Sequence, residues 1–173
     1  MGKIGIFYGP TTGRTAKIAA RIHKMLGPDK VDIYHVDAIT IGTVTNYDNL
    51  IFGVSTLGSE TWDSSGDTNQ WGAMLPKIKN TDFTGKKIAL FGLGDHITYA
   101  ARFVDSIGEM AEVLKKQNAQ IVAPVPVDGY TFTESKALVD GMFVGLPLDE
   151  DYENDKTEER LTKWVEQLKK TFI

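Results

Sequence analysis

The chain has no cysteine among its 173 residues. Disulfides, thiolate-held iron–sulfur clusters and thiol catalysis are thereby excluded, and any electron chemistry must be carried by an organic cofactor. No apolar run is long enough to span a bilayer. The first residues lack the basic and apolar regions of a secretory signal, so the cytoplasm is the expected location. No basic stripe occurs and the formal net charge is −4, which argues against nucleic acid as a partner. Histidine is scarce: His23, His35 and His96 are not spaced as a metal-binding set, and they read as a helix residue, an edge-strand residue and a surface residue beside a loop. What remains is an ordinary globular composition, 42% apolar and 24% charged, with a length that suits one domain over residues 1–173.

Glycine and threonine are concentrated where they matter most. The apolar run Ile4-Gly5-Ile6-Phe7-Tyr8 has the character of a buried parallel strand. It leads into Gly9-Pro10-Thr11-Thr12-Gly13-Arg14-Thr15, and then into a stretch with Ile18, Ile22, Met25 and Leu26 at helical spacing. A strand, a tight turn and a helix start make an anion site, because the free N–H groups of the first turn converge and the macrodipole favours negative charge by roughly 0.3–2 kcal/mol. Gly13 allows close backbone approach, and the threonines add hydroxyl donors. A nucleoside-triphosphate loop needs four residues between its glycines and then Lys-Ser/Thr; here three intervene and Arg14 follows. The dinucleotide fingerprint is also missing. The loop therefore suits a single terminal phosphate, the alternative being an ordinary turn capped by Thr11 or Thr12.

Along the rest of the chain, strand and helix patterns alternate. Residues 31–36 read as a half-exposed strand, 49–54 as a buried strand delivering Ser55-Thr56-Leu57-Gly58, and 86–92 as a fourth strand ending in Leu93-Gly94-Asp95. Helical stripes occur over residues 71–78, 103–116 and 157–170. A fifth strand starts at residues 120–123, breaks at Pro124 and resumes over residues 143–148, with a helix-like patch at 135–139 between. This predicts an α/β, doubly wound domain: a five-stranded parallel sheet in the order 2-1-3-4-5, helices on both faces, and a fifth strand interrupted by an insertion. In that order the ligand lies beyond the carboxyl ends of the strands, at the β1/β3 switch point.

The loops at that edge, taken together, resemble those of the flavodoxins, small FMN-binding electron carriers, and the likeness covers essentially the whole chain. The residues that carry it are the first loop, Ser55-Thr56-Leu57-Gly58, Gly92-Leu93-Gly94-Asp95 with Tyr99, Asp128-Gly129-Tyr130, Ser135-Lys136-Ala137, Phe143-Val144-Gly145-Leu146, Leu148-Asp149-Glu150-Asp151, and Thr157-Glu158-Glu159-Arg160 with Trp164-Val165. The insertion resembles that of the long-chain branch. The resemblance implies that FMN is the cofactor, with its phosphate on Gly9, Pro10, Thr11, Thr12, Gly13, Arg14 and Thr15. It implies further cofactor contacts from Ser55, Thr56, Leu57, Gly58, Gly92, Leu93, Gly94, Asp95, Tyr99, Phe103 and Asp151. Tyr99 would stack on the isoalloxazine, worth about 0.5–1.5 kcal/mol beyond area burial. Asp95 would meet the pyrimidine edge, and Gly58 lies where the family turns a peptide toward flavin N5.

Leu57 departs from the many family members with Trp on the inner flavin face, and Trp62 in the following loop either folds over the flavin in its stead or rests on the surface. Acidic residues fall in segments expected near the cofactor edge: Asp63, Asp67, Asp95, Asp105, Asp149, Glu150 and Asp151. A carboxylate roughly 10 Å from a reduced, anionic flavin costs it about 0.4–1.7 kcal/mol, on the order of 20–70 mV. The same charges offer a docking face for basic-faced reductases and redox acceptor enzymes in transient encounters. The Asp149-Glu150-Asp151 triplet reads as a solvated acidic edge rather than a hard-cation site. The implied function is low-potential electron carriage between such partners. The alternatives are an FMN-dependent NAD(P)H:quinone oxidoreductase or a module that no longer holds flavin, while a phosphoryl-accepting receiver is disfavoured by Ser55-Thr56-Leu57 where its aspartate should stand.

Overall fold

The computed structural model describes residues 2–10, 13–55 and 71–172. The expected parallel sheet is present in the order β2-β1-β3-β4-β5, formed by β1 (Ile4–Tyr8), β2 (Val31–His35), β3 (Asn49–Ser55), β4 (Lys87–Leu93) and β5 (Gln120–Val122). All these pairings are parallel, with Tyr8 level with both His35 and Gly53 at the carboxyl edge. The helices are α1 (Arg14–Leu26), the short α2 (Ile41–Thr45), α3 (Trp71–Ile78), α4 (Asp105–Lys116) and α5 (Thr157–Thr171).

Alternation explains why the strands read as unbroken apolar runs. Leu50, Phe52 and Val54 of β3, with Ile88 and Leu90 of β4, enter one core beneath α3 and α4. Ile51, Ala89, Phe91 and Leu93 point the other way, into a second core with Ile18 and Ile22 of α1 and Leu161, Trp164 and Leu168 of α5. Both faces are covered, so both sets must be apolar. Indole N–H groups anchor each layer: Trp71 Nε1 donates to Gly53 O at 2.9 Å, and Trp164 Nε1 to Ala123 O at 3.0 Å.

The fifth strand position is split as predicted. β5 pairs with residues 87–89 of β4, the chain leaves the sheet at Ala123 with φ 58°, and β9 (Leu146–Leu148) returns to pair with residues 91–93. Between them lies an antiparallel unit of β6 (Val125–Pro126), β7 (Leu138–Val139) and β8 (Met142–Phe143), ordered β6-β8-β7. Two expectations are corrected here. The patch at residues 135–139 is a turn and strand rather than helix, because Ala137 and Leu138 pair with the 142–144 segment. Residues 142–143 and 146–148 belong to two different sheets rather than one resumed strand. The insertion also presses on α4, where a Cβ at Gly108 would stand 2.1 Å from Lys136 O, a distance only glycine permits.

Helix α4 begins two residues later than its apolar stripe. Phe103 is fully buried and packs on Phe132 and Phe143, with centroids 5.9 and 6.1 Å away. The carboxylate of Asp105, at the first residue of α4, accepts the Lys136 N–H at 2.8 Å. Asp105 is thus buried against the insertion and is not one of the charges at the cofactor edge.

Candidate functional site

Four described segments at the carboxyl edge of the sheet converge on one cavity of about 680 Å³, within the range of small-molecule sites. Its lining comes from the first loop and α1 (Pro10, Gly13, Arg14, Thr15), the ends of β3 and β4 with the following loop (Ser55, Leu93, Gly94, Asp95, Thr98, Tyr99), and the turn after β9 (Glu150, Asp151, Tyr152).

At one end, α1 starts on Gly13, a cap residue with no side chain, and no other described side chain caps it. Gly13 takes φ 88° and ψ −152°, a backbone region essentially confined to glycine, and the first intrahelical bond is Lys17 N–H to Gly13 O. The N–H groups of residues 14–16 precede that first bond and have no intrahelical acceptor. The helix does not need the cap for its own stability, since burial of Ile18 and Ile22 at roughly 1.5–3 kcal/mol each outweighs a cap worth about 1 kcal/mol. Among the described residues no side chain occupies its N-terminus, which can face an anion. Arg14 is exposed and pairs with Asp151 across the cavity mouth, and that hydrogen bond and charge raise its already high pKa.

At the other end, the loop after β4 is wound on Asp95. Its Oδ1 accepts the N–H groups of Ile97 at 2.9 Å and Thr98 at 2.8 Å. Burial pushes the Asp95 carboxyl up, but the hydrogen bonds from Thr98 and Ile97 outweigh it and hold the group below the usual carboxylate range. Gly94 N–H is fixed to Leu148 O at 2.9 Å. The loop so formed carries Tyr99, 37% exposed, whose ring has the Arg102 guanidinium 5.7 Å from its centroid. Ile97 and Tyr152 are exposed apolar groups nearby in sequence and on the cavity rim respectively, 58% and 54% exposed.

The sequence-derived set therefore divides. Pro10, Gly13, Arg14, Thr15, Ser55, Leu93, Gly94, Asp95, Tyr99 and Asp151 share the cavity. Gly9 is buried behind the turn, its N–H donating to Gly53 O at 3.2 Å, and Gly92 lies in β4 against Ile107. Phe103 is placed in the hydrophobic core and does not line the cavity. Thr11, Thr12, Thr56, Leu57 and Gly58, together with Trp62, Asp63 and Asp67, fall outside the described residues. Glu150, expected among the acids near the cofactor edge, lines the cavity, and Thr98 and Tyr152 line it although neither was expected there. Thr98 could have been found from the Asp-x-x-Thr spacing of an Asp-wound turn.

Two further readings are corrected. His96 is not a surface residue: its side chain is 14% exposed and bonded to Asp149. Asp149 is fully buried, so the acidic triplet is not uniformly solvated. Burial pushes its carboxyl up, yet N–H bonds from His96, Tyr152 and Asp151 and the His96 ring hold it below the ordinary range. A second cavity of about 450 Å³ lies between the insertion and α5. Its cations Lys156, Arg160 and Lys163 are paired with Glu153 and Glu159, which leaves no comparable anion cradle there.

A doubly wound sheet with a phosphate-type helix start and an aromatic loop at its switch point defines a nucleotide-cofactor protein of the α/β class. The family model described as flavodoxin matches residues 6–164. Flavodoxin 1 of Azotobacter vinelandii is 40% identical over 177 residues, covering 100% of this chain and 99% of its own. The flavodoxin of Nostoc sp. is 39% identical over 170 residues, covering 98% and 97%. Among solved structures, the Fusobacterium nucleatum flavodoxin bound to flavin mononucleotide superposes with a TM-score of 0.87 at 30% identity, covering 99% of each chain. The chain belongs to the flavodoxin family. Among the described residues, no helix is long and apolar enough to cross a membrane.

Proposed function

We propose that this flavodoxin is a low-potential carrier of single electrons, shuttling them through non-covalently bound FMN between a reductase and acceptor enzymes. The observation that carries this reading is the cavity's polarity. One end is a helix start, capped by no described side chain, suited to a phosphate, and the other is an aromatic, Asp-wound loop suited to a flat heterocycle. The whole chain, residues 1–173, serves as one cofactor-binding unit. Gly13, Arg14 and Thr15, with Thr11 and Thr12 of the same loop, would hold the phosphate, and Tyr99, Leu57 and Gly58 would serve the ring. Bound there, the isoalloxazine would supply the one-electron redox chemistry.

The chain's own contribution is electrostatic and steric. Among the described lining residues, Asp95, Glu150 and Asp151 are acidic and Arg14 alone is basic, itself paired with Asp151. That surplus of negative charge disfavours a more reduced flavin and lowers its potential, by about 59 mV for each tenfold loss of affinity in a one-electron step. The same acidic rim, with Ile97 and Tyr152 exposed near it, suits brief docking to a basic partner surface. Mixing the FMN-loaded protein with a nicotinamide alone should give no turnover, and adding a flavodoxin reductase should restore reduction at a rate that falls with salt. Turnover without a reductase, or a salt-independent rate, would overturn the assignment.

A further inference from the structure

Two of the segments that line the cavity are tied together by one buried carboxylate. Asp149 is fully buried at the end of β9, and each of its oxygens takes two donors. Oδ2 accepts the backbone N–H of His96 at 3.0 Å and lies 2.5 Å from His96 Nδ1. Oδ1 accepts the N–H groups of Asp151 and Tyr152, both at 2.9 Å. Because these bonds hold the carboxylate ionised, the hydrogen between it and the ring belongs to the imidazole, and Nδ1 donates. The His96 ring makes a T-shaped contact with Tyr152, with centroids 6.1 Å apart and planes at 87°. Asp151 continues the link by pairing with Arg14 at the start of α1.

This arrangement is not suited to a cation, although His96, Asp149 and Glu153 stand close together. Both oxygens of Asp149 are already occupied by N–H donors, and Glu153 is engaged by Lys156 and Arg160. It is suited to holding backbone. Without the ring, the loop of residues 94–99 would keep one hydrogen bond to the Asp149 side chain, and the buried carboxylate would lose a charge-assisted partner.

We infer that His96 is a positioning residue for the bound FMN: by donating Nδ1–H to Asp149 it fixes the loop that presents Asp95 and Tyr99 against the turn that presents Glu150, Asp151 and Tyr152. The inference rests on the proposed FMN site and adds to it a side chain that does not itself line the cavity. Its effect is preorganisation. The flavin meets a loop already set, so binding does not have to order it.

The test compares His96→Ala with His96→Asn in the full-length protein, since the Asn Nδ2 donor occupies the place of imidazole Nδ1. His96→Leu, which keeps bulk and lacks a donor, replaces the alanine variant should that fail to fold. In the variant without a donor, amide hydrogen exchange at Ile97, Thr98 and Tyr152 of the FMN-free chain should quicken about tenfold. Its dissociation constant for FMN should rise about tenfold, or roughly 1.4 kcal/mol. The potentials of bound flavin should move toward those of free FMN. His96→Asn should stay near the wild type in all three, and adding His96→Ala to Asp149→Asn should cost no more than Asp149→Asn alone. Unchanged exchange, affinity and potentials in the variant without a donor would overturn the inference, as would an asparagine variant as impaired as alanine. Failure of the wild type to take FMN would sink the proposed function instead, and exchange in the FMN-free chain would still decide whether the tie exists.

Discussion

The two ends of the cavity are built on opposite plans. At the α1 end the polar groups are backbone N–H at a helix start that no described side chain caps, and the ion pair of Arg14 with Asp151 has side chains 54% and 44% exposed. At the loop end a single carboxylate, Asp149, is wholly buried and gathers donors from two separate segments. The first plan leaves donors free for a ligand and spends little stability on side chains. The second satisfies every donor internally and uses the ligand's surroundings as structure. Binding strength and binding geometry are thus assigned to different ends, and substitutions at the two ends should behave differently.

The largest difference should come from Asp149→Ala. It strands a buried imidazole N–H and three backbone N–H groups, and should cost about 3 kcal/mol or more in urea unfolding. A loss below about 1 kcal/mol would erase the contrast between the two ends. The same carboxyl carries a pH signature. Its pKa in the folded chain lies below the ordinary aspartate value of about 3.9. Its stabilisation is therefore complete above that value and lost as pH falls through the folded value, so Asp149→Ala should flatten the acid limb of a stability–pH profile.

Gly13→Ala comes next. An L side chain at φ 88° and ψ −152° should destabilise by about 1–3 kcal/mol, although a Cβ there would touch nothing within 4 Å. A neutral result in thermal unfolding would mean that the turn relaxes into another conformation. Tyr99→Ala should leave unfolding of the FMN-free chain nearly unchanged and weaken FMN by about three- to tenfold, as loss of a stacked ring implies. Equal affinity would remove Tyr99 from the site. Smallest of all, Arg14→Ala and Asp151→Ala should each shift unfolding by less than about 1 kcal/mol, and by still less at high salt. A salt-insensitive loss larger than that would show the pair to be structural rather than a rim contact.

The contrast also explains what could be read from the chain and what could not. Continuous apolar runs such as residues 50–54 and 88–91 announce strands buried on both faces, and the Gly-Pro-Thr-Thr-Gly turn announces a helix start with free N–H groups. Those are local signals, and strand order and the split fifth strand followed from them, whereas the cavity residues after β4 and β9 came from the family resemblance. His96 and Asp149 stand 53 positions apart, and neither carries a mark of burial in its own neighbourhood. Asp105 likewise lies in a charged-looking helix start until the Lys136 N–H arrives from the insertion. Phe103 heads the apolar stripe of residues 103–116, but the aromatic partners that bury it, Phe132 and Phe143, come from the insertion. The hairpin at residues 138–143 was missed for the same reason: its register depends on β6 pairing across the insertion.

The most direct measurement is titration of the flavin-free protein with FMN, followed by flavin absorbance and fluorescence. One equivalent should bind below micromolar concentration, quench the flavin fluorescence and leave a yellow protein, with FMN losing affinity when its phosphate is removed. A colourless protein that ignores micromolar FMN, or binds riboflavin equally well, would contradict the phosphate end of the cavity and with it the function proposed here.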